Sequence, residues 1–89
     1  MITEISRGHV LLDYGGRTVW VGGDMFPPGP ATYMLFKDKI RYVRIVEGRE
    51  SFEDEVIDEQ TGEQIIREAE SELTKRGRKV AIGVCEPPS

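Results

Sequence analysis

The sequence predicts an α+β fold in which two antiparallel β-hairpins precede an acidic helical segment, broken near Thr61-Gly62, and a closing strand. Strand-forming residues flank short turns in the first half of the chain, whereas capping residues and helical apolar spacing occur in the second half. The 89 residues correspond to a single domain, 1–89, with a thin core. The sheet is expected to pack on the helix, and a barrel-like sheet that closes on itself is the alternative.

The first hairpin is the clearest local pattern in the chain. Residues 9–13 and 18–21 are rich in strand formers. Between them, Gly15-Gly16 supplies the positive φ angles that tight hairpin turns require. We therefore expect these two strands to pair directly across that turn.

A second hairpin is predicted further along the chain. Residues 31–36 and 40–46 have strand composition, and Lys37-Asp38-Lys39 between them is the expected turn. The glycine- and proline-rich residues 22–30 are too few for a domain linker, so they are expected to form the loop between the two hairpins.

The acidic stretch predicts two helical pieces. Ser51 is a suitable N-cap for the first piece, and Thr61 begins a capping box for the second. The apolar face of the first piece contains Phe52, Val56 and Ile57; that of the second contains Ile65, Ile66, Ala69 and Leu73. These faces would lie roughly 145° apart on one straight helix, so a break near Thr61-Gly62 is expected. The alternative places residues 56–58 in a strand that turns at residues 60–62.

The C-terminal part of the chain contains a helix end and a strand. Cations in the last turn and a glycine at the C′ position end the second helical piece at Arg76-Gly77. Residues 79–84 are expected to form the closing strand. Residues 85–89 contain two prolines and are expected to form a frayed tail.

Both faces of the predicted sheet are apolar. Strand alternation places Val10, Val19 and Met34 on one face. The opposite face then contains Leu11, Trp20, Tyr33, Val43 and Ile45. One helix covers about one face, so the other is expected to be covered by a second copy of the chain, by another protein, or by the curling of the sheet.

The charge of −4 is unevenly distributed along the chain. Residues 37–49 carry five cations and two carboxylates, residues 50–72 carry ten carboxylates and one arginine, and residues 75–79 carry four cations. An acidic middle is thus enclosed by two basic stretches, so the chain is an electric multipole.

Composition also favours a cytoplasmic protein with no cofactor and no metal. A single cysteine, Cys85, excludes an internal disulfide, and with a single histidine, His9, it excludes the usual Cys/His zinc sites. The N-terminus lacks the basic and then apolar character of a signal peptide. No apolar run approaches the 18 residues of a membrane span.

The sequence contains no convincing active site, so a non-enzymatic protein is predicted. His9 and Cys85 have no local pattern around them that supports a catalytic pair, and cysteine is commonly a small buried apolar residue. The carboxylates of residues 53–63 do not follow the spacing of a calcium loop, and are better interpreted as a solvated face. Gly15-Gly16 and Gly22-Gly23 lack the phosphate-loop pattern.

The preferred function is therefore that of a protein-binding module, such as a regulator, inhibitor or assembly subunit. Three surfaces are candidates: the uncovered sheet face, the stiff loop at residues 25–30, and the acidic segment 50–72. The acidic segment could instead imitate a row of phosphates and occupy a nucleic-acid site on the partner. The candidate contact residues are Trp20, Met25, Phe26, Tyr33, Glu53, Asp54 and Glu55.

The alternative function is nucleic-acid binding by the basic hairpin 37–49. Cations interleaved with aromatic residues on a sheet are typical of single-strand binding. The cations in question are Lys37, Lys39, Arg41 and Arg44. A sequence pI of about 5.0 makes this the less favoured function.

The apolar outer face predicts a homodimer at micromolar concentration. Each large side chain left in water forgoes about 1.5–3 kcal/mol, which is large against the net stability of a small domain. Analytical ultracentrifugation checks this, and Trp20→Lys is expected to weaken the dimer. A single 10.1 kDa species across the micromolar range would contradict the prediction and favour the self-closing sheet.

Overall fold

The computed structural model describes residues 1–25 and 31–84 and confirms the α+β class. The elements are β1 (Ile2–Ile5), β2 (His9–Tyr14), β3 (Arg17–Asp24), β4 (Tyr33–Val46), β5 (Arg49–Phe52), α1 (Glu59–Lys75) and β6 (Val80–Gly83). The expectations for residues 26–30 and 85–89, including Phe26 and the frayed tail, lie outside the described residues. Within the described ranges, no helix is both long and apolar enough to span a bilayer.

A sheet of six strands forms one layer of the fold, and α1 packs against it. Strands β1 to β5 follow each other in antiparallel order, and β6 pairs in parallel with β4. Both β5 and β6 pair with the edge of β4 that faces away from β3. Strand β6 pairs with residues 33–36 of β4, and β5 pairs with residues 43–46. The middle of β4 therefore lies in a gap between these two shorter strands.

The first predicted hairpin is confirmed. Strands β2 and β3 pair from Tyr14↔Arg17 outward, and Gly15 and Gly16 have φ angles of 59° and 79°. The N-terminal residues, for which no element is predicted, form β1 and add a strand next to β2.

The predicted turn at residues 37–39 is wrong, because β4 is one strand of 14 residues. Val21 of β3 pairs with Ile40, but Gly23 pairs with Leu35, so four residues of β4 face only Gly22. The Lys-Asp-Lys sequence thus forms a β-bulge and not a reversal. The chain reverses later, at Glu47 and Gly48, whose φ angles are 52° and 77°.

This bulge changes which side chains of β4 face the core. Its extra residues invert the alternation of side chains along the strand. The core therefore receives Tyr33 and Leu35 from before the bulge and Ile40 and Tyr42 from after it. The prediction that Tyr33 lies on the outer face, opposite Met34, is therefore wrong. Tyr33 is fully buried, with 0% of its surface exposed, and its hydroxyl donates to the carbonyl oxygen of Ser6 at 2.8 Å.

The predicted helix break is also wrong. Residues 49–52, including Ser51, form β5, and residues 56–58 form neither a helix nor a strand. The helix begins at Glu59 with Asp58 as its N-cap, whose carboxylate accepts from the backbone N–H of Thr61 at 3.2 Å. The hydrogen bond from the Thr61 side chain, followed by that from its backbone, lowers the pKa of Asp58. The predicted helix end is confirmed, since Arg76 is the C-cap and Gly77 has a φ of 84°.

The core lies between α1 and one face of the sheet. Helix residues spaced three or four apart bury one stripe against the strands. The buried members are Ile65, Ile66, Ala69 and Leu73 from the helix, and Ile2, Val10, Leu12, Val19, Val21, Tyr33, Leu35 and Tyr42 from the sheet. Gly62 is buried in the same helix close to Ile40, so it is a position of close approach and not a break.

The curl of the sheet covers much of the other face, which confirms the barrel-like shape, although β1 and β5 do not pair and the sheet does not close on itself. Strands β1 and β5 lie at opposite ends of the strand order. Nevertheless, one carboxylate oxygen each from Glu4 of β1 and Glu50 of β5 and a ring nitrogen of His9 all lie within 4.8 Å of one another. This approach makes the Trp20 side the concave inside of a half-barrel. Leu11 and Val43 are buried there, whereas Ile45 stays exposed, and the homodimer stays a prediction.

Two glycine substitutions test the continuous helix and the tight β3–β4 contact. A Cβ at Gly62 would lie 3.6 Å from Cδ1 of Ile40, an ordinary contact, so Gly62→Ala is expected to stabilise by about 0.5–1 kcal/mol through helix propensity. A Cβ at Gly23 would lie 2.7 Å from the backbone oxygen of Met34, so Gly23→Ala is expected to destabilise. Urea denaturation of both variants is the measurement, and a loss of stability in Gly62→Ala would contradict the packing described here.

Candidate functional site

The gap beside the middle of β4 opens into a groove with a volume of about 810 Å³. One wall is β4 itself, and the opposite wall is the first half of α1. The segment 53–58, which leads from β5 to the helix, closes one end, and the end of β6 closes the other. The groove exists because β5 and β6 cover only the two ends of β4.

The lining of the groove is apolar in its deeper part. Ile40 from β4, Ile57 from the connecting segment and Ile66 from α1 are buried or half-buried there, whereas Val56, Ile82 and Val84 are exposed along its edge. Val56 has 88% of its surface exposed. Ile82 and Val84, which line the same groove, are also exposed, and a contiguous group of exposed aliphatic side chains is typical of a contact site for another molecule.

The rim of the groove is acidic. Six carboxylates and three cations line it, which gives a formal net charge of −3. The carboxylates are Asp38, Asp54, Glu55, Asp58, Glu59 and Glu63, and the cations are Lys37, Arg41 and Arg67. An apolar floor inside a charged rim is the usual arrangement of a protein-binding surface, and the sign of this rim favours a basic partner.

Arg17 holds the connecting segment in place. Its two terminal nitrogens donate to Glu53 and to Glu55, each at 2.7 Å, and its guanidinium lies 3.5 Å from the centre of the Tyr42 ring. The backbone N–H of Glu53 also donates to the Tyr42 carbonyl oxygen at 3.0 Å. The segment without regular secondary structure is thus attached to β3 and β4 through Glu53 and Glu55, the residues just before Val56.

Glu53 has the most strongly engaged carboxylate in this segment. It is half-buried, and Arg44 donates to its second oxygen at 3.2 Å. The hydrogen bond from Arg17 is the main reason that the pKa of Glu53 lies below its ordinary value, and the same pair raises the pKa of Arg17. Glu53 therefore acts here as a positioning group, while Asp54 and Glu55 line the groove.

The predicted apolar contact residues do not come together. Trp20 is half-buried on the concave face, stacked on His9 at 5.6 Å and in edge contact with Phe52 at 5.3 Å. Met25 packs against the core cluster, and Tyr33 is buried within it, which leaves Tyr33 no surface to offer a partner. Phe26 lies outside the described ranges.

The predicted basic residues are divided between two environments. Lys37 and Arg41 line the groove, although Arg41 also donates to the Glu53 carbonyl oxygen at 3.2 Å. Arg44 is paired with Glu53. Lys39 lies beside Gly22, since a Cβ on that glycine would be 2.8 Å from the Lys39 Cβ. The four cations therefore do not form one continuous basic surface.

Sequence reasoning missed the groove itself. Val56 and Ile57 were assigned to a helix face, although two aliphatic residues inside a run of carboxylates were the available signal. Ile40, Ile66 and Ile82 come from three distant parts of the chain, and no local pattern connects them.

This fold and groove define a small α+β protein with an acidic surface suited to docking a partner. The chain belongs to the immunity protein 74 family, whose model matches residues 2–83 and so includes every strand and helix described above. No curated protein and no solved structure matches the chain. Membership in an immunity family supports the predicted protein-binding, inhibitory role and favours a non-enzymatic protein.

The Arg17–Glu53 pair predicts a pH-dependent contribution to stability. Because the folded pKa of Glu53 is lowered, its contribution is fully present above the ordinary value of 4.5 and is lost as the pH falls through the folded value. Glu53→Gln is expected to be less stable than the wild type at pH 7, and this difference should shrink at pH values below 4.5. Urea midpoints across this range are the measurement, with the exposed Glu47→Gln as the control. A difference that stays constant with pH would contradict the assignment.

Proposed function

We propose that this chain is an immunity protein that binds a protein toxin through the acidic groove and blocks the toxin's activity. The observation that carries the proposal is the exposed Val56 above an aliphatic floor, surrounded by a rim with net negative charge. The family match supports the class of partner, and the groove supports the surface used.

The charged and the aliphatic residues of the groove would contribute differently to binding. The carboxylates of the rim would attract a basic toxin surface and accelerate association, because complementary charges chiefly raise the association rate and specificity. The aliphatic floor would receive a side chain of the toxin and exclude water, which slows dissociation. A basic surface that binds phosphates is one kind of toxin site that such a rim would occupy.

Inhibition by this route is stoichiometric and needs no chemistry from the chain. A toxin whose functional surface is covered by a tightly bound partner is inactive as long as the complex lasts. The clamp of Arg17 on Glu53 and Glu55 supports this mode, since a preorganised segment loses less conformational freedom on binding.

Capture and growth rescue test the proposal together. The tagged protein is used to capture its partner from an extract of the source cells, and the captured protein is then expressed alone and together with this chain. We expect the partner to arrest growth when expressed alone and the chain to restore it.

Substitutions in the groove then test the surface. Val56→Asp and the double variant Glu59→Lys/Glu63→Lys are expected to weaken toxin binding at least about tenfold and to abolish rescue. Glu47→Lys reverses the charge of one carboxylate in the β4–β5 turn, away from the groove, and is expected to rescue like the wild type. Full rescue by both groove variants would show that the toxin binds elsewhere, and a captured protein without toxicity would contradict the proposed function.

A further inference from the structure

The concave face of the sheet, on the side away from α1, carries a second group of polar side chains. Glu4 of β1, His9 of β2 and Glu50 of β5 each place one ligand atom there, and these three atoms lie within 4.8 Å of one another. From this arrangement we propose a binding site for a divalent transition-metal ion, of the kind that Zn²⁺ represents. The site is separate from the acidic groove and does not depend on the toxin.

The distances fit a metal ion with little rearrangement. Zinc binds imidazole nitrogen and carboxylate oxygen at about 2.0–2.2 Å, so neighbouring ligand atoms in a tetrahedral site lie about 3.3 Å apart. Glu4 Oε2 and His9 Nε2 are already 3.2 Å apart. The carboxylate of Glu50 has to approach by only about 1–2 Å, a distance within the rotamer freedom of a glutamate side chain.

The immediate ligand group carries two carboxylates, and a cation on this face, the Arg41 guanidinium, lies 4.7 Å from the centre of the Phe52 ring. The curl of the sheet brings the carboxylates of Glu4 and Glu50 close together, although like charges repel. Among the described residues, Glu50 forms no ion pair, and His9 is the group that contacts Glu4. The Trp20 ring stacks on the His9 ring and contacts Phe52 edge-on, which helps to hold the imidazole in place.

The second ring nitrogen of His9 is held as it is in many metal sites. Ser6 Oγ lies 2.9 Å from Nδ1 and donates its hydrogen to the His9 carbonyl oxygen at 3.1 Å. When Ser6 uses its hydrogen in this way, its oxygen accepts from Nδ1–H, and this tautomer leaves the Nε2 lone pair available to a metal ion. A metal ion between Nε2 and the Glu4 carboxylate would be coordinated by both groups.

A bound ion would connect the first and the last strand of the antiparallel order. Glu4 and Glu50 are 46 positions apart in the sequence, and no hydrogen-bond ladder joins β1 to β5. Three protein ligands also leave a fourth position for water or for a ligand atom from another molecule. The expected consequence is a metal-dependent gain in stability of the half-barrel.

Calorimetric titration with ZnCl₂ tests the site directly. The tag-free chain carries Cys85→Ser, so that no thiol competes for the metal. We expect one Zn²⁺ per chain and a rise in the thermal unfolding temperature, with no comparable effect of MgCl₂. In the same background, Glu50→Gln and His9→Gln are each expected to weaken Zn²⁺ binding at least about tenfold and to remove the thermal shift.

Glu47→Gln provides the matched control, because it neutralises an exposed carboxylate in the β4–β5 turn. It is expected to bind Zn²⁺ like the parent chain. If His9→Gln does not fold, Glu50→Gln decides, since Glu50 is exposed and supports no core packing. Absence of Zn²⁺ binding by the parent, or equal binding by the parent and Glu50→Gln, would overturn the proposal and leave Glu4–His9 as a simple polar pair.

Discussion

The long strand β4, with its bulge, is the constraint on which most of this structure depends. By placing four residues opposite Gly22, the bulge inverts the side-chain alternation halfway along the strand. Tyr33 and Leu35 before it, and Ile40 and Tyr42 after it, consequently all face α1. Without this inversion one half of β4 would turn its large side chains away from the helix, and the core of a chain this short could not be completed.

The same strand creates the groove. Because β5 pairs with its end and β6 with its beginning, the middle of β4 lacks a strand neighbour on that side. The connecting segment 53–58 crosses there, and Arg17 fixes it through two ion pairs to Glu53 and Glu55. The candidate docking site is therefore a consequence of unequal strand lengths, stabilised by one arginine.

The acidic middle of the sequence serves more than one purpose in the folded chain. Asp58 caps the helix, Glu53 anchors the connecting segment, and Glu59 and Glu63 remain on the groove rim. The carboxylate of Glu50 reaches the other face of the sheet. The fold thus uses some of these carboxylates to cap the helix or to anchor a segment and leaves others exposed. The exposed ones keep the rim negative, which favours a basic partner.

The sequence by itself determined the α+β class, the first hairpin, the C-terminal end of the helix and the presence of an acidic surface, because these depend on neighbouring residues and on composition. Local patterns could not distinguish a turn from a bulge at residues 37–39, since both favour the same polar residues. Only the tertiary structure decided that β4 continues, because β3 pairs with it on both sides of these residues, at Leu35 and at Ile40. Likewise, only the tertiary structure shows that Gly62 contacts Ile40 and that Glu4 lies near His9 and Glu50. The physical reason is that packing between distant segments and the curl of the sheet set these positions.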